Sequence, residues 1–246
     1  MKNLLFTLAL LLGCAGAFAG TWVSVDAGGA QGAGSTVVII DGQVTEGGEK
    51  ADRTHGSGVL ETRRREVGDF VKLWLNIPAE VRIATGEKSD LTMTADDNLL
   101  AVISTEVREG TLIISAENDF VTANPIRIEL RVPDLEGVTV NGSGSVRLEQ
   151  AKGSELALVI SGSGKIAATG RVEELSAVVN GSGEMVLDEL RAHTGKIQIN
   201  GSGRAVLKVE KHLKATVNGS GQIHLALEPE ELDSRIAGSG KIHHPR

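Results

Sequence analysis

The stretch VNGSGSVRL (residues 140–148) contains a turn that the chain writes five more times. ISGSGKIAA starts at Ile160, VNGSGEMVL at Val179, INGSGRAVL at Ile199, VNGSGQIHL at Val217 and IAGSGKIHH at Ile236. Six Gly-Ser-Gly triplets in the C-terminal half begin at Gly142, Gly162, Gly181, Gly201, Gly219 and Gly238, so they lie 20, 19, 20, 18 and 19 residues apart. A fixed period near 20 marks a solenoid, in which each unit buries its apolar face against its neighbours.

The flanks of the triplet decide whether the units are helical or extended. Two residues before the first glycine stand Val140, Ile160, Val179, Ile199, Val217 and Ile236, all β-branched. Four before it stand Val138, Leu158, Ala177, Ile197, Ala215 and, as the exception, Ser234; the column between these two is mixed. After the triplet, Ser145, Lys165, Glu184, Arg204, Gln222 and Lys241 are polar. The next position, Val146, Ile166, Met185, Ala205, Ile223 and Ile242, is apolar. Alternation with period two on both sides of a turn is the signature of strands with one buried face. Each unit therefore reads strand, corner, strand and a short variable loop. Units stacked at about 4.8 Å per rung give an all-β fold, a parallel β-helix.

The corner has a structural explanation. Glycine accepts positive φ and asparagine tolerates it better than most residues. Gly142, Gly144, Gly162, Gly164, Gly181, Gly183, Gly201, Gly203, Gly219, Gly221, Gly238 and Gly240 are thus expected as turn residues that permit the bend. Asn141, Asn180, Asn200 and Asn218 are expected one above another, as a ladder of side-chain amides.

At the N-terminus, Lys2, an apolar run over 4–12 and Ala17-Phe18-Ala19 read as a secretory signal with cleavage after Ala19. Leu11-Leu12-Gly13-Cys14 offers the rival reading of a lipobox, with Cys14 lipidated and first in the mature chain. Either reading takes the protein out of the cytoplasm, to periplasm, outer membrane or cell surface, and no second apolar stretch suggests a transmembrane helix. Cys14 is the only cysteine, which excludes a disulfide framework. Residues 20–54, rich in glycine and acidic groups, read as a flexible linker in which 35–40 adds one short strand.

The domain then runs over 55–246, with the repeats at 138–246. Before the repeats, 70–77, 81–85, 91–94, 100–106, 111–115 and 126–132 read as less regular strands that cap the solenoid. Aromatic residues are scarce: past the signal only Trp22, Phe70, Trp74 and Phe120 remain, and tyrosine is absent. A core of Val, Ile, Leu and Ala suits a narrow interior.

HGSGVLETRRREVGDF (55–70), EVRIATGE, LTMTADDNLL, EVREGTLIISAEN and IRIELRVPDLEGVTVNGSG, followed by the recurring triplets and a closing GSGKIHHP, resemble the "putative auto-transporter adhesin, head GIN domain" family. The resemblance covers residues 55 to the end. It implies a right-handed parallel β-helix in an exported bacterial envelope protein with an adhesive or envelope-binding role. It brings no catalytic or ligand-binding residues with it.

The formal net charge is −7, and −8 once Lys2 leaves with the signal. An acidic chain whose one compact basic run is Arg63-Arg64-Arg65, read as a solvated strand edge, is a poor partner for nucleic acid. β-Helices that cleave polysaccharides need clustered carboxylates. The acidic groups here (Asp188-Glu189, Glu173-Glu174, Glu228 and Glu230-Glu231) fall in loops, so no catalytic residue and no cofactor is expected. Trp74, between Leu73 and Leu75, reads as core packing rather than a sugar platform. His224 and His243 both lie three residues past their triplets, hence one rung apart on the outer face; they are the weak candidates for a shared metal, with His244 turned inward by parity. A glycan or another envelope component is the expected partner. A periplasmic accessory role is the alternative, and a polysaccharide-active enzyme the third.

Overall fold

The computed structural model describes residues 36–40, 43–47 and 53–245. The signal, Cys14 and most of the expected linker lie outside the described residues. The chain divides into two units, Met1–Asp52 and Arg53–Arg246. In the first, Thr36–Ile40 pairs antiparallel with Gln43–Gly47 as a hairpin, so the single short strand expected there has a partner.

The second unit is the expected parallel β-solenoid. Long strands Ser145–Gly162, Lys165–Gly181, Glu184–Gly201 and Arg204–Gly219 each turn a corner and stack in parallel on the next. The registry read from the triplets is the registry of the fold. Val140 pairs with Ile160, and the column continues through Val179, Ile199, Val217 and Ile236. The coils have three sides: the first leads into the triplet, the second leaves it, and the third closes the coil. Differences in coil length are absorbed on the third side, where the pairing slips between Leu148 and Ala151, Ala167 and Gly170, and Leu187 and Arg191.

The two glycines of each triplet do different jobs. The first has positive φ, as at Gly201 (+124°), and a Cβ there would stand 2.6 Å from the carbonyl oxygen of Gly181 in the coil beneath. The second has ordinary φ but faces inward. At Gly203 a Cβ would come within 2.5 Å of Val179 Cγ1 and 2.9 Å of the Gly183 oxygen. Bend permission therefore belongs to the first column, and the second is glycine because coils pack too closely for any side chain. Between them the serine N–H donates to the corner below, from Ser202 to Gly181 O at 3.0 Å, so the turn leaves no orphan amide there.

The interior is a column of Val, Ile, Leu, Ala and Met, in which Phe70 is the buried aromatic residue. Below the first full coil the order becomes irregular. On the first side, Gly137–Gly142 lies on Lys72–Leu75, which lies on Thr111–Ala116, with Ile103–Arg108 antiparallel beyond. On the second side, Ala79–Thr85 is followed by Ile126–Val132, then by Asp90–Asp96 and Leu60–Arg65, both antiparallel. The strand expected over 100–106 begins instead as a helical turn, Leu99–Val102, and becomes extended only from Ile103. Leu99 and Leu100 are buried as a plug, and a four-residue apolar run does not distinguish helix from strand by periodicity.

Arg65 terminates that turn. Its guanidinium donates to the carbonyls of Leu100 (2.5 Å) and Ile103 (2.7 Å), the groups a helix end leaves unpaired. The basic run is thus not uniformly a solvated edge: Arg63 pairs with Glu61 and Arg64 with Asp90 at the surface, but Arg65 is a partly buried cap. Asp96 is the buried carboxylate of the cap, accepting from Asn124 Nδ2 (2.6 Å) and Thr122 Oγ1 (2.7 Å). The Asn124 bond, then the Thr122 bond, hold its carboxyl below the ordinary range against the opposing effect of burial.

Candidate functional site: the outer columns

Every outward position repeats at the rung spacing, so the surface is a set of parallel columns. The asparagine column sits at the edge of the first side. Asn200 donates to Asn180 (2.8 Å) and Asn218 to Asn200 (2.9 Å), as a ladder requires. It is broken at Ser161, however, and Asn141 donates downward to Asn76 instead (2.6 Å). Asn76 stands outside the repeats, where alignment on the triplets gave no sign of it.

The neighbouring column runs Glu106, Ile113, Trp74, Thr139, Val159, Val178, Gln198, Thr216 and Arg235. Trp74 is 46% exposed, and this corrects its reading as core: Leu73 and Leu75 are fully buried, and the alternation that buries them turns the indole out. Ile113 and Thr139 flank it on adjacent strands. Asn76, two residues on and on the same face, also borders a depression of about 390 Å³ lined by Ser115, Glu117, Asn118, Asp119 and Phe120. An exposed aromatic face, a row of amides and an acidic depression are thus contiguous.

On the second side, His224 and His243 pair across adjacent rungs as the spacing required. Their rings stack face to face, with centroids 4.4 Å apart and planes 8° from parallel. Imidazole lone pairs lie in the ring plane, so an ion shared by the two would need the rings to rotate out of this stack. Burial, then the neighbouring His243 and Arg204, push His224 below its ordinary value. His244 is not turned inward. It lies past the last strand, is exposed, and its Nδ1 is 2.9 Å from Glu228. Among the described residues no group of three or more His, Cys, Asp or Glu is placed to hold a metal ion.

The third side carries a column that sequence alignment missed: Lys152, Arg171, Arg191 and Lys208 stack in register. Glu210 approaches Arg171 (3.3 Å) and Arg191 (3.9 Å). Unequal loop lengths hide this column from any alignment on the triplets. The acidic groups expected in loops are exposed, but Glu173-Glu174 and Asp188-Glu189 lie within the strands Lys165–Gly181 and Glu184–Gly201. Glu230 pairs with Lys211, Glu228 Oε2 lies 2.9 Å from His244 Nδ1, and Glu231 Oε2 lies 3.3 Å from His212. No helix among the described residues is long and apolar enough to cross a membrane.

Comparisons with known proteins follow this architecture. A solved "putative adhesin" from Bacteroides fragilis superimposes with a TM-score of 0.64 at 22% identity, covering 77% of this chain and 99% of that one. A "putative lipid binding protein" from Parabacteroides distasonis does so at 0.52 and 25% identity, covering 79% and 100%. A comparison with curated proteins returned no match. The family model described as "Putative auto-transporter adhesin, head GIN domain" matches residues 69–229, from the strand that bears Trp74 through the fifth triplet, and the chain belongs to that family.

Proposed function

We propose that this protein is an exported, non-catalytic binding module that holds a glycan of the cell envelope or its surroundings against the first side of the solenoid. Membership in an adhesin-head family supports the adhesive role and an extracytoplasmic place. The observation that carries the choice of face is the exposed Trp74 ring beside the amides of Asn76 and Asn141. An aromatic face stacks on the apolar face of a sugar ring, and side-chain amides both donate to and accept from its hydroxyls. A rigid parallel sheet presents these groups at fixed spacing, which lowers the ordering cost of binding an extended chain.

Binding of the purified chain to a panel of envelope polysaccharides and host-matrix glycans tests this. Trp74→Ala is expected to weaken binding to the best ligand by about tenfold or more, while Lys208→Ala on the third side leaves it unchanged. Equal affinity in wild type and Trp74→Ala would move the site off this face. No binding across the panel would favour the periplasmic accessory role. The mass of the mature N-terminus separates a soluble form starting at Gly20 from one anchored through a lipid on Cys14.

A further inference from the structure

The two ends of the solenoid are built differently. Antiparallel strands and the Leu99–Val102 turn close the N-terminal end. Among the described residues nothing comparable closes the other. Glu231–Gly238 pairs only with the strand beneath it, and Lys241–His243 likewise. The core column that is fully buried from Val140 to Val217 ends at Ile236, 45% exposed, with Leu232 and Ile242 half-covered beside it. Edge strands that must stay unpaired are commonly blunted by proline, a bulge or charged side chains; this eight-residue edge has no proline, lysine or bulge, and its charges, Glu231, Asp233 and Arg235, are of both signs.

The edge is complementary to itself. At the matching rung position the Ala157 N–H donates to Glu136 O (2.8 Å) in the coil beneath, and Ala157 stacks in register through Ser176, Lys196 and Lys214 to Asp233. Peptide groups alternate along a strand, so those of Asp233, Arg235 and Ala237 face the coil beneath. Those of Leu232, Ser234 and Ile236 therefore face the open edge. An antiparallel pairing of two copies centred on Ser234 engages these free groups. It sets Asp233 opposite Arg235 twice, and Leu232 opposite Ile236 on the inner face, where the core continues from one copy to the other. Moving the centre to Leu232 sets Glu231 against Asp233, like charges directly opposite, which is destabilising. Moving it to Ile236 puts Leu232 opposite Gly240 and leaves Asp233 and Arg235 without each other. A shift that centres the pairing between two residues turns side chains to the wrong face.

We propose that the C-terminal end of the solenoid is a homodimer interface, in which Glu231–Gly238 joins the same strand of a second copy antiparallel about a two-fold axis at Ser234. The result is one continuous double-length core with a capped end at each pole. Ser234, the polar exception in an otherwise apolar column, sits on the axis, where two small side chains meet.

Sedimentation equilibrium on the full purified chain tests it by charge reversal. Asp233 and Arg235 are exposed and outward, so neither change disturbs the core. The wild type is expected to be dimeric at micromolar concentration. Asp233→Arg alone and Arg235→Asp alone each place like charges in register and should weaken the dimer by about tenfold or more. Mixing these two single variants restores both opposite-charge pairs and should give a heterodimer, as should the double swap as a homodimer. Circular dichroism melting of each variant reports whether the coils remain folded. A monomeric wild type, a dimer indifferent to either single reversal, or weakened variants that fail to recover on mixing would each overturn the proposal.

Discussion

Single glycines show how close the coils come. Gly142 and Gly201 occupy the same place in their triplets, both at positive φ. Gly142 has no corner beneath it, and a Cβ there would meet nothing within 4 Å; at Gly201 it would strike the carbonyl of Gly181. Gly142→Ala is therefore expected to cost about 1–2 kcal/mol, the strain of an unfavourable backbone region alone. Gly201→Ala adds a main-chain clash and should cost at least about 1 kcal/mol more, measured by urea unfolding. Equal costs would mean that strain, and not stacking, explains the repeated glycine. His224 gives a second residue-scale expectation. Its folded pKa lies below the ordinary value because burial, His243 and Arg204 disfavour the charged ring. Between that ordinary value, about 6.5, and the lowered one, the unfolded chain binds more protons than the folded. Stability should then be fully present above about pH 6.5 and fall as pH drops through this window. An NMR titration of the His224 ring should give a midpoint below about 6.5, and His224→Gln should flatten the change in melting temperature.

At the scale of the element, the triplet columns were legible and the third side was not, for one reason. A column can be read only at a fixed offset from a landmark, and the glycines provide that offset for the two sides they join. The basic column of Lys152, Arg171, Arg191 and Lys208 lies past loops of unequal length, so the offset is lost. Trp74 and Asn76 belong to rungs that precede the first triplet, and only the structure shows which strand lies under which. The Leu99–Val102 turn was unreadable because its four apolar residues fit a strand equally well. Conversely, the stack of His224 on His243 followed directly from their shared offset. The broken asparagine ladder yields a test at this scale. Ser161 lies between Asn141 and Asn180, so Ser161→Asn should join the two short ladders into one. Up to two new amide bonds, at about 1 kcal/mol each, should raise the melting temperature by a few degrees, whereas Ser161→Ala should not.

Over the whole molecule, the repeat made the solenoid legible and concealed its ends. The cap depends on strands out of chain order, with Ile126–Val132 between Ala79–Thr85 and Asp90–Asp96, and no periodicity carries that information. The proposed functions divide along the same line. The glycan face draws on cap and repeats together, and the dimer interface arises where the repeats stop.

The corner hydrogen bonds also run one way. Four serine amides reach back to the previous triplet, Ser163 to Gly142, Ser182 to Gly162, Ser202 to Gly181 and Ser220 to Gly201, and at the last corner the Gly240 amide reaches back to Gly219. Within the repeats each coil is thus moulded on chain that precedes it by about one period, and none of these waits for sequence still to come. A polypeptide emerging N-terminus first from a ribosome or an export pore can lay down its foundation and then add storeys in the order they appear. Because closing loops this short costs little entropy, such vectorial growth keeps the exposed, sticky surface at any moment to a single advancing rim.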